Sequence, residues 1–269
     1  MNTKLKNVIL LLCVVIFALT GCTSSNSETA QESHLDRVIK SKKLRVAVLP
    51  DNPPWSVMKA DGSFAGYDID IANKLAEALG VEVEFVPTEG ANRLPLVQTD
   101  KVDVVIACFS PTNERAKSIN FTEPYAVSGS LPLYRKDNPL KSWEDLKEKK
   151  VSVARGSTND TILTKYFPKT EVVRFDTISD AFMALKSGKV DALLEQNQMV
   201  YEMARKNPEL EALNAEPFKP SLVAMAVKRG DHDWLNYLNS FIRNFNASGD
   251  NAELYKKWFG TEMPKIVNY

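Results

Sequence analysis

From residue 34 onward, short apolar runs alternate with amphipathic stretches, a grammar of strands and helices in turn. His34 to Ser41 reads as a short helix, and "KLRVAVLP" as a buried strand ending near Leu49. "DIDIANKLAEALG" carries apolar residues at Ile69, Ala72, Leu75, Ala76 and Leu79, with Asp68 as N-cap candidate and Gly80 as the stop. "VEVEFV" alternates as a half-buried strand does, and strand, helix and strand follow one another to Ile106. A second run of the same order begins at "VSVAR" and passes through "STNDTILTKYF", "EVVRF" and "DAFMALKSG" to "VDALL". The last fifty residues return to a strand, "SLVAMAV", and then helices at 234–246 and 253–259. This pattern predicts α/β architecture with mostly parallel strands, built as two similar units.

Both units close on a shared phrase. "KVDVVIACFS" starts at Lys101 and "KVDALLEQNQ" at Lys189. Ligands of open α/β sheets sit beyond the carboxyl ends of the strands. The two strands therefore aim Cys108–Ser110 and Glu195–Asn197 at the places where chemistry is expected, as two walls of one cleft.

The first 22 residues stand apart. Lys4 and Lys6 precede an apolar run from Val8 to Leu19; at ~12 residues it is short for a bilayer span and fits a signal-peptide core. "LTGC", Leu19 to Cys22, resembles a bacterial lipobox, which implies cleavage before Cys22 and a lipid on its sulfur. The polar stretch "TSSNSETAQES" then reads as a tether. Cys13 leaves with the signal, so Cys108 is the one thiol left in the folded region and no internal disulfide is expected. Acids and bases balance at 34 each, which gives no pull toward nucleic acid. Removing residues 1–21 takes two lysines and no acid and leaves a net charge of −2.

Catalytic signatures are missing from the chain: there is no "GxSxG", "HExxH" or "GxxxxGK". The two histidines, His34 and His232, read as solvated surface residues, and no metal or cofactor is expected. Instead, "SPTNERAKSINFTEPY" offers Ser110 and Thr112 as N-caps, with Arg115 close behind. Backbone N–H groups at a helix start and a planar guanidinium together suit a carboxylate. A capped surface helix whose arginine pairs with an acid such as Glu123 fits the same residues. "ARGSTND" supplies a second helix start with Ser157 and Thr158.

"GYDIDIANKLAEAL" closely resembles the signature of bacterial extracellular solute-binding proteins of the polar amino-acid class (family 3), the receptors of ABC importers. The resemblance runs collinearly through "SPTNERAKSINFTEPY", "SWEDLKEKKVSVARGSTND", "GKVDALL" and "NAELYKKWFG". It implies a type II periplasmic-binding-protein fold: two α/β lobes joined by two crossing hinge strands, closing over a ligand. Lobe one would span residues 35–126 and 222–269, lobe two residues 127–221, after a signal peptide (1–21) and a lipidated tether (22–34). By the same resemblance Arg115 pairs with a ligand α-carboxylate. Ser110, Thr158 and neighbouring Ser157 donate to it, and the Cys108 carbonyl receives the ammonium. The implied protein is a monomeric, lipid-anchored, extracytoplasmic receptor that hands an amino acid to a membrane permease and catalyses nothing.

The chain departs from that family in two places. Where many relatives place an aspartate for the ligand ammonium, this chain has Gln196, with Glu195 beside it. A buried ammonium without its counter-charge is penalised on the order of 3–5 kcal/mol, so either Glu195 supplies the charge, or the ligand lacks the amine, or the loss is tolerated. Aromatic walls for a basic side chain would fall near Asn52 and Gly90; only Trp55 lies close. "EGANRLP" resembles the turn of relatives that bind acidic amino acids, making Arg93 a candidate for a second carboxylate; a helix-start arginine facing water fits equally. An acidic or small polar amino acid is the expected ligand. The alternatives are a dehydratase acting on prephenate- or arogenate-like acids with Glu195 as general acid, or a binder of a carboxylic acid without an amine.

Overall fold

The computed structural model describes residues 32–265. The expected signal segment, Cys22 and the first part of the tether lie outside the described residues.

Two long antiparallel strands organise the domain: β7 (Ile119–Arg135) and β12 (Phe218–Lys228). Their pairing runs from Lys228 opposite Ile119 to Phe218 opposite Ser130. On one flank lie β6 (Val104–Val105), β1 (Lys43–Val48) and β5 (Glu82–Pro87), with β1 parallel to both its neighbours. On the other lie β10 (Ala192–Gln196), β8 (Lys150–Ala154) and β9 (Glu171–Phe175), parallel to one another. One sheet in the order β5-β1-β6-β12-β7-β10-β8-β9, with β11 (Leu210–Ala212) on β7, thus serves two lobes. Beside it, β2 (Asp51–Asn52), β3 (Ser56–Met58) and β4 (Phe64–Ala65) form a small antiparallel ribbon.

The repeated "KVD" has a shared structural job. Asp103 Oδ2 accepts from the backbone N–H of Arg45, near the start of β1, at 2.8 Å. Asp191 Oδ2 accepts from the N–H of Lys150, at the start of β8, at 2.9 Å. Each aspartate also returns its own N–H to the carbonyl of that same residue. Each valine before it, Val102 and Val190, is buried. The phrase is a clasp that sets the register of a parallel neighbour; what the chain places after the clasp is left free to differ.

Helix α2 (Tyr67–Leu79) starts two residues earlier than the pattern implies, capped by Gly66. Asp68 is accordingly inside the helix and fully buried, accepting from the Tyr125 hydroxyl and the Cys108 N–H, each at 2.8 Å, in place of the capping role expected of it. Gly66 has φ +139°, and a Cβ there would stand 2.2 Å from the Trp55 carbonyl oxygen. Gly66→Ala is therefore expected to destabilise the domain by about 2–4 kcal/mol through backbone strain and overpacking. Urea unfolding at neutral pH measures it; a loss under half a kilocalorie would show the turn to be more yielding than drawn.

Two expectations fail in the core. Trp55 is no cleft wall: it is fully buried against Tyr67 and Phe259, with ring centroids 5.6 and 4.9 Å away. His34 is no surface residue: it is 2% exposed, with Nδ1 2.6 Å from Asp231 and Nε2 3.0 Å from Asp100. Ser33 caps helix α1 (His34–Ser41) and donates to Asp231, so Ser33, inside the stretch expected to be tether, is held by the fold. Helix α8 (His232–Ala247) closes the first core with Trp234, Leu238, Ile242 and Phe245, whose spacing of three and four puts them on one face.

Candidate functional site

The carboxyl ends of β1, β5, β8, β9 and β10 converge on a small closed cavity of ≈ 40 Å³. Asp51, Asn52 and Arg93 line it from one lobe; Ser157, Glu195 and Gln196 line it from the other. A groove of ≈ 840 Å³ lies elsewhere, among Pro53, Gln198, Tyr255 and Trp258. None of its charged lining residues is buried, and it does not sit at the strand ends. The smaller cavity has the buried, opposed charges that recognition of a small polar ligand requires.

Arg93 is 4% exposed, which rules out the water-facing reading. It starts helix α3 (Arg93–Gln98), donating from Nε to the Gly90 carbonyl at 2.9 Å and from Nη1 to the Ala107 carbonyl at 2.9 Å. A longer contact, 3.4 Å, reaches the Cys108 carbonyl, the group expected to receive a ligand ammonium. Cys108 itself holds a left-handed φ of +45°, fixed by the bond from its N–H to Asp68. Its thiol is buried, and burial pushes its pKa up.

Arg115 sits on the same aromatic ring as Arg93. The two guanidinium carbons lie 4.5 and 4.4 Å from the Phe109 centroid. Arg115 follows Thr112, whose hydroxyl caps a helix of only four residues, α4 (Asn113–Ala116). The pattern's longer helix start is thus a single turn, and Ser110 lies before it, its hydroxyl 3.2 Å from that of Ser221. Arg115 Nη1 donates to the Ser110 carbonyl at 2.8 Å, and Nη2 crosses to the Gly156 carbonyl of lobe two at 2.9 Å. Burial lowers its pKa, and the neighbouring charge of Arg93 adds to the effect. The surface pair with Glu123 is not made; Arg243 takes that acid.

Other contacts bridge the lobes. The Ser179 N–H, in the first turn of α6 (Ile178–Lys186), donates to Asp51 Oδ2 at 2.9 Å. Gly156 has φ +71°, and a Cβ there would stand 3.1 Å from Ala91 Cα; one on Gly90 would stand 3.2 Å from the Arg155 carbonyl. Small residues at 90 and 156 let the two lobes meet backbone to backbone.

In lobe two, Ser157 caps α5 (Thr158–Tyr166) by accepting from the Asp160 N–H, so its hydroxyl is already engaged. Thr158 is half-buried beside the cavity and does not line it. Glu195 is 1% exposed; its Oε2 accepts from the Gln196 N–H at 3.0 Å and from Asn159 Nδ2 at 3.2 Å. Burial pushes the Glu195 carboxyl up to about 7, against the pull of those two hydrogen bonds and of Arg93. Asn159 in turn accepts from the Ser130 hydroxyl. Of the residues the sequence singled out, Arg93, Ser157, Glu195 and Gln196 line the cavity, Arg115, Ser110, Cys108 and Thr158 do not, and Trp55 belongs to the core. Asp51 and Asn159 were missed as site residues, and Asn52 was named only as the place of an aromatic wall that the chain lacks; nothing in the spacing of the three marks a site.

The family model for bacterial extracellular solute-binding proteins, family 3, matches residues 44–261. A glutamine-binding protein of an ABC transporter from Bacillus subtilis (strain 168) is 32% identical over 256 residues, 92% of this chain and 93% of the relative. The crystal structure of the solute receptor for L-cysteine of Neisseria gonorrhoeae superposes with a TM-score of 0.80 at 32% identity, covering 84% of this chain and 93% of that one. A cyclohexadienyl dehydratase of Pseudomonas aeruginosa is 28% identical over 256 residues, 93% of this chain and 95% of the relative.

Proposed function

The chain belongs to the bacterial extracellular solute-binding proteins, family 3, and from that premise we propose that its cleft captures an amino acid for an ABC importer by closure of the two lobes. One observation carries the reading. Arg93 and the buried carboxyl of Glu195 line the cavity from opposite lobes, and Arg115 shares the Phe109 ring with Arg93. A zwitterion offers their complement: a carboxylate for Arg115 and an ammonium for Glu195. At ≈ 40 Å³ the cavity has room for little more than a water molecule. Entry of an amino acid thus requires Arg115 to leave the Gly156 carbonyl and the lobes to part. In this reading Cys22 carries the lipid anchor and the domain works as a monomer outside the membrane. Among the described residues no helix is long and apolar enough to cross a membrane.

Glu195 also supports a second reading, since a carboxyl near 7 suits a general acid, and an enzyme is among the relatives. Binding is favoured because the relative at 32% identity is named as a binding protein, while the dehydratase is 28% identical. The test is thermal stabilisation of ligand-free protein by each amino acid and its deaminated counterpart, with prephenate and arogenate included and assayed for turnover. Stabilisation by an amino acid alone is expected. Turnover of either cyclic acid, or stabilisation only by acids lacking the amine, would defeat the proposal.

A further inference from the structure

Two side-chain amides face the cleft with an oxygen unmatched. Asn52, 1% exposed in β2, and Gln196, the last residue of β10, line the cavity from opposite lobes. Neither Asn52 Oδ1 nor Gln196 Oε1 accepts a hydrogen bond, although both atoms are buried. Folded proteins pair nearly all such atoms, and one left over in a cleft calls for a donor from outside the fold, a water in the empty cleft and a ligand group in the filled one. The charges around them narrow what that donor is. Asp51, Glu89 and Glu195 line the cavity, with Asp176 beside them paired to Arg155, against the guanidinium of Arg93, whose Nε and Nη1 are held by backbone carbonyls. A second carboxylate on the ligand would meet a negative field and, at most, the remaining Nη2. This weighs against the acidic side chain that the "NR" turn suggests.

Resting on the amino-acid reading above, we propose that Asn52 and Gln196 select a ligand whose side chain ends in a primary amide. An amide NH2 has two hydrogens to divide between two oxygens on facing walls, and its carbonyl suits Arg93 Nη2. Buried acceptors reject a ligand that cannot donate to them more firmly than an apolar pocket rejects an extra polar atom.

The test is calorimetric titration of the full chain, freed of ligand, with glutamine, asparagine, glutamate, aspartate, arginine and methionine. An amide is expected to bind at least tenfold more tightly than its acid counterpart and than methionine. Asn52→Leu and Gln196→Met are each expected to weaken the amide at least tenfold and methionine less than threefold; a purely structural role would weaken both alike. Gln196 ends a strand and is half-buried, so its variant carries the test if Asn52→Leu does not fold. Tightest binding of an acidic, basic or apolar amino acid overturns this assignment and leaves the amino-acid reading standing. Binding of no amino acid overturns both.

Discussion

Replacing Arg115 with alanine is expected to weaken amino-acid binding by roughly 30- to 5,000-fold, the range for truncating one member of a buried, hydrogen-bonded charge pair. Among the described residues Arg115 makes no ion pair: its hydrogen bonds go to the carbonyls of Ser110 and Gly156 and its face lies on Phe109. A guanidinium held by neutral oxygens, with its pKa lowered by burial, is an uncompensated charge that a carboxylate relieves. Arg115→Lys keeps the charge and loses the planar fork, so its affinity should fall between the two. Both variants should fold, because no buried acid loses its partner. Titration calorimetry with whichever amino acid most stabilises the parent protein, beside circular dichroism, checks this. An alanine variant binding within threefold of the parent would mean that Arg115 serves only to tie Ser110 to Gly156.

What the sequence conveyed, and what it withheld, follows from the range of the interactions involved. The strand and helix order was readable because burial of one face leaves a local period, as in Trp234, Leu238, Ile242 and Phe245. "KVD" was readable as a repeat, but its meaning was not: the acceptor role of Asp103 depends on Arg45, 58 positions away, and that of Asp191 on Lys150, 41 away. Asp68 and His34 were misread for the same reason. Asp68 looks like a cap from its neighbours alone, whereas its partners are Cys108 and Tyr125. His34 takes its burial from Asp100 and Asp231, distant in the chain. Trp55 lies close to Asn52 along the chain, yet it stands in the turn between β2 and β3 and packs into the core against Tyr67 and Phe259. The opposed amides of Asn52 and Gln196 exist only once the two lobes meet.

Glu195→Gln should abolish most of the pH dependence of binding. In the folded protein without ligand, burial holds the Glu195 carboxyl near 7, above its ordinary 4.5. A raised acid stabilises the fold fully below the unfolded value, and that stability is lost as pH rises through the folded one, up to about 3 kcal/mol for a shift of this size. Asp68, raised to about 7 by burial, has the same sign, so only the difference between parent and variant isolates Glu195. A ligand ammonium reverses the preference, since it favours the carboxylate and draws the pKa down. Binding at pH 6 should therefore release a proton, seen as a heat that varies with the ionisation enthalpy of the buffer. Affinity should climb as pH rises from 5 toward 7, by at most tenfold per unit, and level off above. The glutamine variant should bind with little slope, matching the parent near pH 5 and falling at least tenfold behind it at pH 8. A parent whose affinity is flat with pH would deny the ammonium contact. A slope surviving in the variant would assign the titration to Asp68, which reaches the cleft through the N–H of Cys108.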